Sequence, residues 1–157
     1  MIKVNLVAVG KVKEKYFADG IAEYSKRLSK FCQFNLIEVA EENYNKVDQA
    51  LINVIKEKEG ERIMPHLKGY VIAMAIEGKT FSSERFAENI NNLISRGTGV
   101  ITFVIGGSYG LDDKIKKKAD MLLSFSEMTF PHTLFRLMLT EQIYRAFSIL
   151  GGSAYHK

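Results

Sequence analysis

Two stretches of this chain, Tyr70–Ile76 and Val100–Ile105, are apolar at almost every position. A strand with one wet face alternates apolar and polar side chains, whereas an unbroken apolar run marks a strand covered on both faces, as in a parallel sheet. Parallel neighbours need long crossovers, and the segments between these runs have the spacing of helices. The predicted class is therefore α/β, with a parallel sheet covered by helices on both faces.

The remaining elements follow from the same patterns. Ile2–Val9 and Gln33–Val39 read as strands, and between them Ile21, Tyr24 and Leu28 fall at helical spacing within a helix over about Tyr16–Ser29. The polar stretch Glu41–Asn45 precedes a charged helix that ends near Met64, before Pro65 and Gly69. Gly78-Lys79 is expected to turn the chain, and Ser82 or Ser83 to cap a helix through Ile94 that Gly97 and Gly99 close. A lysine-rich helix near Asp112–Lys118, a short run Met121–Phe125 and a last helix opened by Pro131 and stopped by Gly151-Gly152 complete the pattern.

At 157 residues, with no repeat or linker, the chain is expected to form one domain, residues 1–157, large enough to bury a core without disulfides. The lone Cys32 has neither a disulfide partner nor metal-ligand spacing around it, so no metal is expected and a reducing, cytoplasmic setting fits. Met1–Gly10 reads as a strand rather than a targeting segment. Leu134–Leu150, the most apolar late stretch, is broken by Arg136, Glu141 and Arg145, so no membrane association is expected. The formal charge of +4 is uneven: residues 1–30 carry a net +4 and residues 31–62 a net −3. Basic excess at both ends of a chain can attract a polyanion, although it is also ordinary surface charge.

In open α/β sheets, ligands bind where the carboxyl ends of strands meet the loops, which selects Met74–Lys79, Ile105–Leu111 and Phe125–Pro131. The second loop, Ile105-Gly106-Gly107-Ser108-Tyr109-Gly110-Leu111, lets a backbone approach a ligand closely, yet lacks the Gly-Lys-Ser/Thr ending of a phosphate loop and the G-x-G-x-x-G spacing. A tight turn would read the same way. The third, Ser124-Phe125-Ser126-Glu127-Met128-Thr129-Phe130-Pro131-His132, mixes hydroxyls with apolar groups. A sulfonium cofactor carries its own positive charge and can be held by backbone hydrogen bonds and apolar walls, which these loops offer; packing of Phe and Met into the core is equally compatible.

Phe103-Val104-Ile105-Gly106-Gly107-Ser108, Ser124-Phe125-Ser126, Met128-Thr129-Phe130-Pro131-His132, Arg136 and Glu141-Gln142-Ile143-Tyr144-Arg145-Ala146-Phe147 through Tyr155-His156-Lys157 resemble the bacterial ribosomal large-subunit pseudouridine N3-methyltransferase family of the SPOUT class. The resemblance spans the chain from Val7-Ala8-Val9-Gly10-Lys11 onward and is most specific in its last third. It implies a deep C-terminal trefoil knot, which general topology rules would have argued against. It also implies a homodimer acting on 23S rRNA in the assembled 70S ribosome, with no DNA substrate. S-adenosyl-L-methionine would be bound by Met74, Gly106, Phe125, Ser126, Glu127, Met128, Thr129 and Phe130.

Methylation at N3 requires the imide to lose a proton and align behind the methyl group, so positioning and nearby cations matter most. Arg136, Arg145, His156 and Lys157 are the available cations. Arg136 and the Tyr155-His156-Lys157 tail are expected to orient the base, and Glu141 or His132 to take the proton. Plainer roles exist for each. Glu141 and Arg145 can pair as i, i+4 neighbours, Pro131-His132 can simply start a helix, and a terminal Tyr-His-Lys is often frayed. The last helix has too little polar face for one-sided burial, which also points to a dimer. Lys114, Lys116, Lys117 and Lys118 are candidates for phosphate contacts or a solvated face. A catalytically silent ribosome-binding factor and a small-nucleotide-binding regulator are the competing readings.

Overall fold

The computed structural model describes residues 1–156. Ten main elements alternate along it: β1 Lys3–Val9, α1 Lys15–Leu28, β2 Gln33–Val39, α2 Gln49–Ile63, β3 Tyr70–Thr80, α3 Ser83–Ser95, β4 Val100–Ile105, α4 Asp113–Lys118, β5 Met121–Ser124 and α5 His132–Leu150. The five strands form one sheet in the order β2-β1-β4-β3-β5, and every neighbouring pair is parallel. The unbroken apolar runs are thus accounted for: β4 and the first half of β3 are interior strands buried on both sides.

Strand alternation sorts the core into two clusters, one on each face of the sheet. Leu6, Ala8, Ile72, Phe103 and Ile105 pack with Leu28 of α1, Phe86 and Ile90 of α3, and Leu139, Ile143 and Phe147 of α5. Val7, Val9, Val71, Ala73 and Val104 pack with Ile63 of α2 and Ile115 of α4. Cys32 is buried in the first cluster, and desolvation pushes its thiol up to about 12, which leaves it unreactive. No described helix is long and apolar enough to cross a membrane.

The structure corrects one expectation in a way that shapes the site. Gly78-Lys79 does not turn the chain away; β3 continues through it to Thr80. Leu123 of β5 pairs with Met74 and again with Lys79, so Ala75–Gly78 stand out of register as a loop against β5. A side chain at Gly78 would place its Cβ 2.6 Å from the Leu122 carbonyl carbon and 2.7 Å from the Leu123 nitrogen, so backbone passes backbone where only glycine fits.

One ionic tie joins the two ends of the fold. Arg136, in the second turn of α5, is completely buried. Its guanidinium donates to Glu38 at the end of β2 (2.6 Å) and to the carbonyl oxygens of Val9 (3.3 Å) and Gly10 (3.1 Å), where β1 ends. Removing it would strand those two carbonyls and release the N-terminal half of α5. Arg136→Met should therefore cost about 3 kcal/mol of unfolding free energy, less than a fully buried pair would because Glu38 keeps water. Urea denaturation measures it, and a loss below about 1 kcal/mol would contradict the tie.

Candidate functional site

The carboxyl ends of β3, β4 and β5 open into one cleft. Met74, Gly106, Phe125, Ser126, Met128, Thr129 and Phe130 all line it, so seven of the eight residues singled out as cofactor-binding are brought together. Glu127 is exposed and does not line the cleft. Of the other lining residues, Ile76 is carried in by the β3 loop, Leu123 and Phe135 lie outside the loops picked from the sequence, and His132 had been singled out as a proton acceptor instead. The i, i+3 spacing of His132 and Phe135 was the available signal for their shared face.

Each loop is fixed by its own chemistry. In the glycine loop, Gly110 adopts a positive φ of 85° and its N–H donates to the Gly107 carbonyl (3.0 Å), closing the turn. A Cβ on Gly106 would lie 2.6 Å from the Gly110 carbonyl carbon, and one on Gly107 would lie 3.0 Å from the buried Glu59 carboxylate and 3.1 Å from Val9. The glycines are therefore demanded by internal crowding. In the third loop Ser124 Oγ donates to the Ser126 carbonyl (3.2 Å), and Ser126 Oγ accepts from the Met128 N–H (3.0 Å). Phe135 packs on Phe125 and Phe130, with ring centroids 4.8 and 6.5 Å apart, to form an aromatic wall.

Among the described residues, the cleft lining contains no lysine, arginine, aspartate or glutamate. Its one titratable group is His132, which burial and then the Arg136 charge hold below the ordinary histidine value, against the weaker pull of Glu41 and Glu14. The imidazole is thus neutral near pH 7, and its Nδ1 is buried without a hydrogen-bond partner. A site with apolar walls, hydroxyls and no cation suits a ligand that brings a positive sulfonium of its own. Among the described residues, no group of three or more His, Cys, Asp or Glu side chains is placed to hold a metal ion.

The residues singled out for catalysis divide into two groups. His132 lies in the cleft, whereas Arg136 lines neither the cleft nor its neighbouring cavity. Its guanidinium, committed to Glu38 and two carbonyls, is not free to orient a base in this arrangement, because burial leaves it no open side. Glu141, Tyr155 and His156 meet around Arg145 instead. Glu141 Oε1 accepts from Arg145 Nη2 (2.6 Å), Arg145 Nε (3.0 Å) and Tyr155 OH (3.0 Å), while Oε2 accepts from Gln142 (3.1 Å). The i, i+4 pair expected as a surface bridge is therefore the anchor of the C-terminal tail. Burial, followed by hydrogen bonds with Tyr24 and Glu141, raises the Tyr155 phenol and keeps it protonated. Lys157, the remaining residue of the expected trio, lies outside the described residues.

A second cavity of about 520 Å³ separates this polar cluster from the cleft. Glu141, Gln142, Leu137 and Met138 of α5 line it, and Leu123, Ser124 and Phe125 at the end of β5 wall both it and the cleft. Of the lysine cluster on α4, Lys116 pairs with Glu77 in the β3 loop at 2.7 Å and Lys114 approaches Glu57 at 3.6 Å.

Residues 2–156 match a family described as "Predicted SPOUT methyltransferase". The chain is 55% identical over 159 aligned positions to "Ribosomal RNA large subunit methyltransferase H" of Streptococcus pyogenes serotype M18, covering 99% of this chain and all of that one. It is 54% identical, with the same coverage, to the protein of that name from Bifidobacterium adolescentis. Among solved structures, a probable methylase family protein from Haemophilus influenzae aligns with a TM-score of 0.52 at 13% identity, covering 99% of this chain and 70% of that one. A tRNA (m1G37) methyltransferase from Aquifex aeolicus aligns with a TM-score of 0.51 at 13% identity, covering 91% and 69%. These two structural likenesses concern the fold alone.

The lowered value of His132 has a consequence for stability. As pH falls through 6.5, the ordinary histidine value, the unfolded chain takes up a proton that folded His132 resists. Its contribution is full above that pH and is lost progressively down to the lowered folded value. Urea denaturation at pH 7.5 and 5.5 should show a smaller loss of stability for His132→Gln than for the unaltered chain; equal losses would contradict the assignment.

Proposed function

The chain belongs to the SPOUT methyltransferase family, whose α/β fold carries a deep C-terminal trefoil knot, and on that premise we propose that it methylates N3 of a pseudouridine in 23S rRNA. The methyl donor is S-adenosyl-L-methionine, the substrate form is the assembled 70S ribosome, and the enzyme works in the cytoplasm as a homodimer. The observation that carries this reading is the cleft at three strand ends, free of described cations and sharing its β5 wall with a cavity that Glu141 lines. The relatives' names supply the substrate class, large-subunit ribosomal RNA.

The residues fit the cofactor. Gly106 and the third loop offer backbone groups, Phe125, Met128 and Phe130 offer apolar wall, and neutral His132 adds no repulsion to a sulfonium. S-adenosyl-L-methionine supplies a methyl group bonded to positive sulfur, ready for in-line displacement. The chain's own work is to hold the base behind that methyl and to manage one proton. Glu141 already accepts from Gln142, Arg145 and Tyr155, whereas the neutral ring of His132 stands in the cleft wall, so His132 is the better placed acceptor for the N3 proton. Arg145, with Tyr155 and His156 against it, supplies a cation that favours the imide anion. Arg136 serves from beneath, by fixing the turn that carries His132.

The dimer is supported by α5, whose Leu134, Leu137 and Met138 share one face and remain partly exposed in the single chain. A second copy would cover them, and would also enlarge the surface offered to a ribosome. Lys117 and Lys118 join the basic segment of residues 1–30 as candidates for phosphate contact.

Transfer of labelled methyl from S-adenosyl-L-methionine to purified 70S ribosomes lacking the modification tests the proposal. Label should appear in 23S rRNA, be far weaker with free large subunits, and fall by about 100-fold or more in Gly106→Trp. Ribosome binding without label would contradict it in favour of a silent binding factor. Competition of ATP or GTP for the cleft would favour a nucleotide regulator.

A further inference from the structure

The last described residues fold back onto their own chain through bonds that determine where one proton sits. His156 Nδ1 lies 3.0 Å from Arg145 Nη1, and His156 Nε2 lies 2.7 Å from Glu84 Oε1. A guanidinium is permanently charged and can only donate, so the first contact requires a lone pair on Nδ1. A neutral imidazole carries its single hydrogen on the other nitrogen, where the Glu84 carboxylate accepts it. Both contacts exist together only in the neutral Nε2–H tautomer.

We infer that Glu84 is a positioning residue for the proposed reaction: it fixes His156 as the Nε2–H tautomer and thereby keeps Nδ1 available to hold the Arg145 guanidinium. The inference rests on the methyltransferase reading for its functional meaning, but its geometry stands apart from it. Glu84 lies in the first turn of α3, whose start is set by the Ser82 cap on the Arg85 N–H (3.1 Å) and by Ser83 Oγ, which donates to Gln142 Oε1 on α5 (2.8 Å). The Glu84 carboxyl is held below the usual carboxylate range, first by its hydrogen bond with His156, so it remains an acceptor. On the far side, Arg145 is gripped by Glu141 and lies 4.9 Å from the Tyr155 ring centroid.

Two consequences follow from this arrangement. With its one lone pair occupied by Arg145, His156 is not the group that takes the imide proton. A second proton on His156 would turn an N–H toward the guanidinium and break that contact. Of the charged groups that face His156, Glu84 would hold it more strongly and Arg145 would repel it, with Glu141 and Tyr155 behind Arg145.

Long-range nitrogen-correlated NMR of the full chain, with the three histidines assigned by substitution, reads the tautomer directly. The account expects the Nε2–H form of His156 at neutral pH, kept in Glu84→Gln, whose amide oxygen still accepts, and lost in Glu84→Ala. Methyl transfer to 70S ribosomes should show kcat reduced about 10-fold in Glu84→Ala, with KM for S-adenosyl-L-methionine unchanged and Glu84→Gln within about twofold of the unaltered chain. An Nδ1–H tautomer in the unaltered chain, or a Glu84→Ala variant that keeps both tautomer and kcat, would overturn the inference. Absence of methyl transfer by the unaltered chain with the Nε2–H tautomer intact would count against the methyltransferase reading and leave the tautomer lock supported.

Discussion

A buried guanidinium between the first and last elements sets the arrangement on which the site depends. Arg136 spans the carboxyl end of β1 and the edge of β2 from within α5, and each described partner of its guanidinium lies more than ninety residues away in the sequence. Because α5 is rigid, fixing it there also fixes what it carries on either side. His132 and Phe135 enter the cleft, while Glu141 and Arg145, about two and three turns further on, face the neighbouring cavity and the tail. Loss of the tie would disturb both at once, although Arg136 itself lines neither space.

The two spaces differ in electrostatic character for a reason rooted in the same helix. The cleft is walled by loops whose polar groups are largely backbone and hydroxyl, and burial beside Arg136 keeps its histidine uncharged. The tail cluster concentrates Glu84, Glu141, Arg145 and His156, each satisfied by another. Under the proposed reaction, a cationic methyl donor and an imide that must become anionic need opposite surroundings, and these two spaces, walled by the same residues at the end of β5, offer them.

Much of this was legible in the sequence because it is written in local patterns. Apolar runs marked the interior strands, and glycine and hydroxyl loops after β4 and β5 marked the cleft. What was hidden depends on distant partners. Nothing near Arg136 announces that its charge is spent on Glu38, Val9 and Gly10, so it read as an available cation. Gly78-Lys79 looks like an ordinary turn, since the close passage of Leu122-Leu123 that requires the glycine comes more than forty residues later. Glu141 and Arg145 matched a surface pair by spacing alone, and only the return of Tyr155 and His156 turns them into an anchor.

The central claim is that the three strand-end loops form one cofactor site. Amide hydrogen exchange with and without S-adenosyl-L-methionine tests it most directly. The account predicts protection gathered in residues 74–79, 105–111 and 124–132, with little change along α2 or α4. Protection centred elsewhere, or none under conditions where the cofactor is bound, would contradict it.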